Sequence, residues 1–217
     1  MQFLFYFIVL IFSVILHEVA HGYMANWRGD PTARLQGRLT LNPISHIDPT
    51  GTIILPLLMW MAQGFGPNPI LLGYAKPVPY NPYNLPGKYD ELLVAGAGPA
   101  TNIFLAVLFG LAIRFAGPLG LSGAVGLLDA FAIIVLVNML LALFNLIPIP
   151  PLDGSKVLSG ILPGALGQAY NRFRHSFERM GVLTGTLVIL VIFYFLLAPI
   201  FGKVLLTLFQ LLTGASL

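Results

Sequence analysis

Four apolar runs, at residues 2–25, 90–116, 122–147 and 182–213, decide most of what this chain can fold into. A helix crosses the hydrocarbon core of a bilayer with roughly 20 apolar residues, and each run is at least that long. The last is interrupted at Pro199 and Gly202. Composition points the same way: 57% of residues are hydrophobic, 9% are charged and mean hydropathy is +0.87. A soluble domain carries about 25% charge, so this chain cannot cover a water-facing surface. That excludes an ordinary soluble enzyme and a disordered tail. A net charge of +3 from 11 basic and 8 acidic side chains is too small for a phosphate-tracking patch, so no nucleic-acid partner is expected. Without cysteine there is no disulfide framework, thiolate metal site or thiol nucleophile.

The first run continues through His17 and His21 to Ala25. Nothing basic precedes Arg28 and no small-x-small site closes the run, so it reads as a retained membrane helix and not a signal peptide. Residues 27–49 are polar and turn-rich, and Arg34 to Asn42 partly alternates like a short strand or hairpin arm. A short apolar stretch, Thr52 to Ala62, contains Pro56, and residues 64–88 read as loop. Arg114, Gly117 and Pro118 separate the two central runs, and Pro148-Ile-Pro-Pro-Leu-Asp-Gly154 stops the second. No repeat of 20–50 residues and no separate soluble domain is visible. The expected architecture is an all-α polytopic membrane protein of four to six membrane segments, one of them re-entrant. A small β-hairpin or strand is expected at its cytoplasmic face. Residues 1–217 form one membrane-embedded domain, with a core at 1–160 and the C-terminal membrane segment or segments in 182–213.

His17-Glu18-Val19-Ala20-His21 carries the strongest chemical signal. Positions four apart share one helix face, so two imidazoles can grip one metal ion, while the glutamate between them is placed to act on water. With four histidines and three glutamates in the chain, chance gives this pattern on the order of once in a thousand sequences. A centrally placed acidic group in a membrane helix costs roughly 2.5–3.5 kcal/mol on insertion scales, and such groups are functional by default.

A catalytic zinc takes three protein ligands and leaves a position for water. The third ligand must be His, Asp or Glu, and the candidates are His46, Asp48, Asp129, Asp153, His175 and a few loop carboxylates. Asp153 follows the proline-rich stop of a membrane helix, and the prolines could fold it back toward the bundle interior. It could equally cap a short helix beginning near Ser155.

His17-Glu18-x-x-His21 together with Asn145-x-x-Pro148-x-x-Pro151-Leu152-Asp153-Gly154 resembles the site-2 protease family of intramembrane zinc metalloproteases. Gly98-Pro-Ala-Thr-Asn102 matches the family's Gly-x-x-x-Asn element. Gly37 to Pro49 and Gly73 to Pro82 look like its compact prokaryotic branch, which lacks a PDZ or CBS domain. The resemblance runs from about residue 13 to 160. It implies one zinc per chain held by His17, His21 and Asp153, with Glu18 as general base. It also implies transmembrane protein substrates in a prokaryotic cell membrane, often pre-cut by another protease. Regulation by PDZ or CBS regions is not expected in 217 residues.

Peptide hydrolysis by such a site needs an activated water, a base and a donor for the developing oxyanion. Asn145 and Asn102 are candidates for that donor, the alternative being hydrogen bonding between helices. Asn138 and Asp129 read as structural, His46 as a loop-packing or supporting group, and His175, among Arg172, Arg174 and Arg179, as interfacial. Leu35 to Asn42 could offer an edge to an extended substrate, or brace the membrane surface.

Parity sets the expected topology. For His17, His21 and Asp153 to meet, the first and third long helices must end on one side and the helix at 90–116 must run the other way. Residues 65–89 then share a side with 27–49. The 11 residues from Thr52 to Ala62 reach only about 17 Å as a helix, so they should enter and leave on one face. Nine basic residues then lie on the active-site side and only Arg114 and Lys203 on the other, which marks the first as cytoplasmic and the N-terminus as outside. A different class, a metal-ion transporter or channel using the same His/Asp cluster, stands as the alternative, although transporters tend to show repeats. A catalytically silent scaffold is a third reading, against which the intact Glu18 argues.

Overall fold

Lipid offers no partners to the backbone, so an apolar run must satisfy its own N–H and C=O groups by forming a helix. The computed structural model shows this throughout; it describes residues 2–49, 54, 61, 76–118, 120–121 and 123–215. Helix α1 spans Gln2–Trp27, α2 Thr32–Leu35, α3 Asp90–Arg114 and α4 Val125–Asn145. After the proline-rich turn come α5, Asp153–Ile161, and α6, Gly164–Glu178. Helices α7, Val182–Ile192, and α8, Ala198–Thr213, follow. Among the described residues, three helices are long and apolar enough to cross a membrane: Leu4–Trp27, Asp90–Arg114 and Val125–Asn145. The chain is an integral membrane protein. Ile200–Thr213 is apolar but shorter.

Contacts fix the directions of the long helices. Arg28, just past α1, pairs with Asp90 at the start of α3 (Nη2···Oδ1 2.6 Å), so these helices are antiparallel. Ser13 of α1 meets Asn138 of α4 and His17 meets Asp153, so α1 and α4 run parallel. At the far end, Arg114 closes α3 by donating to the Leu211 carbonyl of α8 (2.6 Å). Phe209, 1% exposed, packs among Ala106, Val135 and Met139 and fastens α8 to α3 and α4.

Residues 182–213 are helical from end to end, with a π-helical stretch, Phe193–Leu197, joining α7 to α8. It ends two residues before Pro199, which has no N–H for the helical ladder; π-type widening is one way a helix absorbs such a gap.

The β element expected at Arg34 to Asn42 is not found. Residues 32–35 form a helical turn, Arg38 N–H returns to the Ala33 carbonyl, and Pro43–His46 is a 3₁₀ turn opened by the Asn42 side chain. Among the described residues there is no strand to pair with. Of the alternating leucines, Leu39 lies against α1, close enough to Gly22 that a Cβ there would meet it at 2.6 Å, while Leu35 and Leu41 are exposed. The re-entrant stretch expected at Thr52 to Ala62 falls outside the described residues apart from Ile54 and Met61. On either side of it, Lys76 N–H donates to the His46 carbonyl (2.9 Å), so the chain returns at Lys76 to the point it occupied at His46.

The segment Lys76 to Asn81, called the strap below, is pinned to the end of α1 by Asp30, which is fully buried. Its carboxylate accepts from Thr32 N–H and Oγ1, Asn81 N–H and Asn84 Nδ2. Burial alone would push the Asp30 carboxyl up, but these donors hold it below its ordinary range. A depressed folded pKa means stabilisation that is complete above the unfolded value, about 3.9, and lost as pH falls through the folded value. Asp30→Ala should therefore lower the thermal midpoint clearly at pH 7, and its deficit from wild type should narrow progressively below about pH 4. Melting curves of both proteins from pH 3 to 7 check this; a deficit unchanged across that range would contradict it.

Candidate metal centre

A helix that carries two histidines four apart stacks their rings on one face. In α1 the rings of His17 and His21 stand edge to face with centroids 4.7 Å apart, 5% and 8% exposed. Both point across the bundle at the first residue of α5. His17 Nε2 lies 3.0 Å and His21 Nε2 3.2 Å from Asp153 Oδ2. The proline-rich turn makes this possible, because it ends α4 and starts a new helix with its acidic residue in the first turn, where the helix dipole favours an anion. Gly154 is required there: a Cβ would come within 2.3 Å of the Leu146 carbonyl oxygen.

The other ring nitrogens are fixed from behind. His17 Nδ1 meets Asn102 Oδ1 at 2.5 Å, and His21 Nδ1 meets the Val94 carbonyl at 2.7 Å. Asn102 can only accept there, because its Nδ2 donates to Asn138 Oδ1 (2.8 Å). Asn138 in turn donates to Ser13 Oγ (3.0 Å) and the Ile134 carbonyl (2.9 Å). Acceptors at both Nδ1 atoms place the ring protons on Nδ1 and turn the Nε2 lone pairs toward Asp153, the arrangement in which second partners orient metal-ligating histidines. Two lone pairs facing one anionic oxygen repel unless a cation stands among them.

The donor set fits a zinc ion. Tetrahedral ligands at about 2.0–2.1 Å from the metal stand about 3.3 Å apart, close to the observed separations. Space is provided by Gly98 of α3, whose added Cβ would lie 2.4 Å from His21 Nε2 and 2.6 Å from His17 Nε2. Pro99 beside it has no N–H for the Ala95 carbonyl, which loosens the helical ladder next to the Val94 carbonyl that His21 uses.

Among the described residues, His17, His21 and Asp153 form the one group of this kind. The other sequence candidates lie elsewhere. His46 is 3% exposed and its Nε2–H donates to the Thr40 carbonyl (2.8 Å). Asp129 is exposed near the start of α4, and His175 lies 3.4 Å from Glu178 on α6. Asn145, half-buried at the end of α4, rests its amide on the Leu141 carbonyl (3.0 Å). Glu18 accepts from the N–H of Val78 (2.9 Å). Sequence reading missed Gly98 as a spacer, Val94 as a partner of His21, and the link from Asn138 to His17. Of these, only the Gly-Pro pair inside an apolar run was a visible signal.

An integral membrane bundle with a buried, pre-oriented His/His/Asp cluster defines a membrane metalloprotein. The model of Peptidase family M50 matches residues 114–193, which include Asp153 but not the histidine pair. YwhC of Bacillus subtilis, named a candidate zinc metalloprotease, is 41% identical over 162 residues, covering 72% of this chain and 68% of YwhC. Rip2 of Mycolicibacterium smegmatis, named likewise, is 33% identical over 146 residues, 66% of this chain and 52% of Rip2. No solved structure matches. The chain belongs to Peptidase family M50, the site-2 protease family of membrane metallopeptidases. It spans about two thirds of YwhC and about half of Rip2.

Gly98→Ala should force the imidazoles apart and weaken metal binding about 10–100-fold, the range seen when supporting groups of a metal site are disturbed. Zinc titration of the purified variant checks this, with helical circular dichroism as the control. Wild-type affinity in Gly98→Ala would show that the close approach of α3 does not shape the site.

Proposed function

We propose that the chain is an intramembrane zinc metalloprotease that hydrolyses peptide bonds within or near the transmembrane segments of membrane-anchored proteins. The convergence of His17 Nε2, His21 Nε2 and Asp153 Oδ2 carries this reading. The names of the M50 relatives and the donor set both favour zinc, one per chain, with these three residues as ligands. Bound there, zinc supplies Lewis acidity that polarises a carbonyl and makes water nucleophilic near neutral pH.

Glu18 follows His17 directly and is half-exposed beside the cluster. It takes the proton of the attacking water on its carboxylate and passes it to the leaving amine. Asn102, held between His17 and Asn138, orients the imidazole, while Asn145 donates to the oxygen of the scissile carbonyl as charge develops. Substrates are single-span proteins, often trimmed beforehand by another protease.

Glu18→Gln should keep one zinc per chain and lose at least about 100-fold in turnover. Asp153→Ala should lose zinc affinity. Metal analysis, with cleavage of candidate single-span regulators in the presence and absence of chelator, checks both. Full cleavage by Glu18→Gln would remove the general-base assignment.

The N-terminus lies outside and the site opens to the cytoplasm of a prokaryotic cell. Supporting this, residues 76–90 pack against residues 28–46 at the same end of the bundle. The chain lacks cysteine, so single cysteines can be read without background. Cysteines at Thr32 and at Tyr83, which is 98% exposed, should both react with impermeant maleimide only when the cytoplasmic face is open. One at Gly123 should react from outside. Opposite labelling of Thr32 and Tyr83 would refute the topology.

A further inference from the structure

Glu18 owes its position to one backbone group, and that group belongs to the strap. Val78 N–H donates to Glu18 Oε2 at 2.9 Å. Its side chain is 5% exposed and lies over Gly22, where an added Cβ would meet it at 2.6 Å. Prolines at 77 and 79 flank Val78, so they offer no N–H and bias the backbone to an extended path.

The strap is seated by a buried cation. Arg38 is 8% exposed, and its guanidinium donates to the carbonyls of Ser45, Lys76 (2.9 Å) and Pro77 (3.3 Å). The last of these belongs to the same peptide unit as the Val78 N–H. Burying a charge is costly unless its hydrogen bonds are used, and Arg38 directs them at backbone carbonyls of the strap and the 43–46 turn. On the far side, Lys156 of α5 stands 5.0 Å from the Tyr80 ring centroid.

We propose that Arg38 is a positioning residue for Glu18, acting through the strap and the N–H of Val78. The proposal rests on the reading of Glu18 as general base. Holding one carboxylate oxygen with a peptide N–H leaves the other to receive a proton, and a base held within a fraction of an ångström is worth far more than a mobile one. Arg38 touches neither the metal ligands nor a reacting atom.

Hydrogen exchange reads the contact directly. Pro77 and Pro79 have no amide hydrogens, so Val78 carries the one exchangeable amide in that tripeptide. Exchange at Val78 should accelerate about 10-fold or more in Glu18→Ala and in Arg38→Met. Kinetics are measured on a quenched-fluorescent single-span peptide that the wild-type protein cuts. Val78→Pro, which removes the donor and keeps an extended backbone, should lower kcat about 10–100-fold with KM within about 2-fold and zinc retained.

Arg38→Met should lower kcat similarly in the wild type but add little in the Val78→Pro background, because both act through one hydrogen bond. Multiplying losses in the double variant would overturn the proposal. So would wild-type exchange at Val78 in Arg38→Met. If Glu18→Gln cleaves the peptide fully, the general-base reading fails instead, and the exchange experiment still decides whether Arg38 seats the strap on Glu18.

Discussion

An anionic carboxylate oxygen held 3.0 and 3.2 Å from two imidazole nitrogens, inside a bundle wrapped in lipid, is the constraint to which the rest of this structure answers. To build it, α1 and α4 must end at the same level, α3 must run between them in reverse, and the chain must turn sharply after Asn145. Each requirement has a local device: the small residue Gly98, the Pro148–Pro151 turn, and Gly154 against the Leu146 carbonyl. The polar groups that pass through the apolar interior do so as one connected chain, Ser13–Asn138–Asn102–His17.

Magnitudes separate two jobs here. Hydrogen bonds between membrane helices average about 0.6 kcal/mol in double-mutant cycles, because the alternative state also finds partners. The asparagine chain is therefore a weak adhesive. Its value lies in register: Asn102 can face His17 only if Asn138 faces Asn102, and that requires α3 and α4 at one relative height. Adhesion comes from close packing, seen where Phe209 fills the space between Ala106, Val135 and Met139 and where Leu212 lies against Gly110.

These two jobs also divide what was legible in the sequence. Apolar runs and proline stops report on lipid and on helical periodicity, so the long helices could be read within a few residues. The spacing of His17 and His21 carries its own geometry. Asp153 could not be chosen by spacing, since its distance from the histidines in sequence says nothing about a turn that folds back; there the resemblance to a family supplied the link. The apparent strand at Arg34 to Asn42 misled because alternation of residue types does not fix burial: Leu35 and Leu41 are exposed. Nor does alternation reveal whether a second strand lies alongside, and Arg38 bonds the neighbouring carbonyls with its own side chain in place of a ladder. Asn138 looked like a helix-packing residue, and only the register of three helices connects it to His17.

The aqueous end of the bundle solves a charge problem. On the proposed reading of Glu18 as general base, a lysine or arginine paired with it would compete for the carboxylate and, once that charge was neutralised, stand buried and unpaired. Two cations contact the strap instead. Arg38 grips its carbonyls, and Lys156 lies over Tyr80. Burial would lower the Lys156 pKa, but Tyr80 and the carboxylates of Asp153 and Glu91 raise it above its usual value, so it stays charged. What reaches Glu18 is a neutral peptide N–H. Such a donor orients the carboxylate without forming an ion pair, and the flanking prolines ensure that no neighbouring N–H within the tripeptide competes for the same oxygen. The proline content of this segment thus bears on electrostatics as well as on chain direction: it leaves one donor in the tripeptide, and that donor meets Glu18.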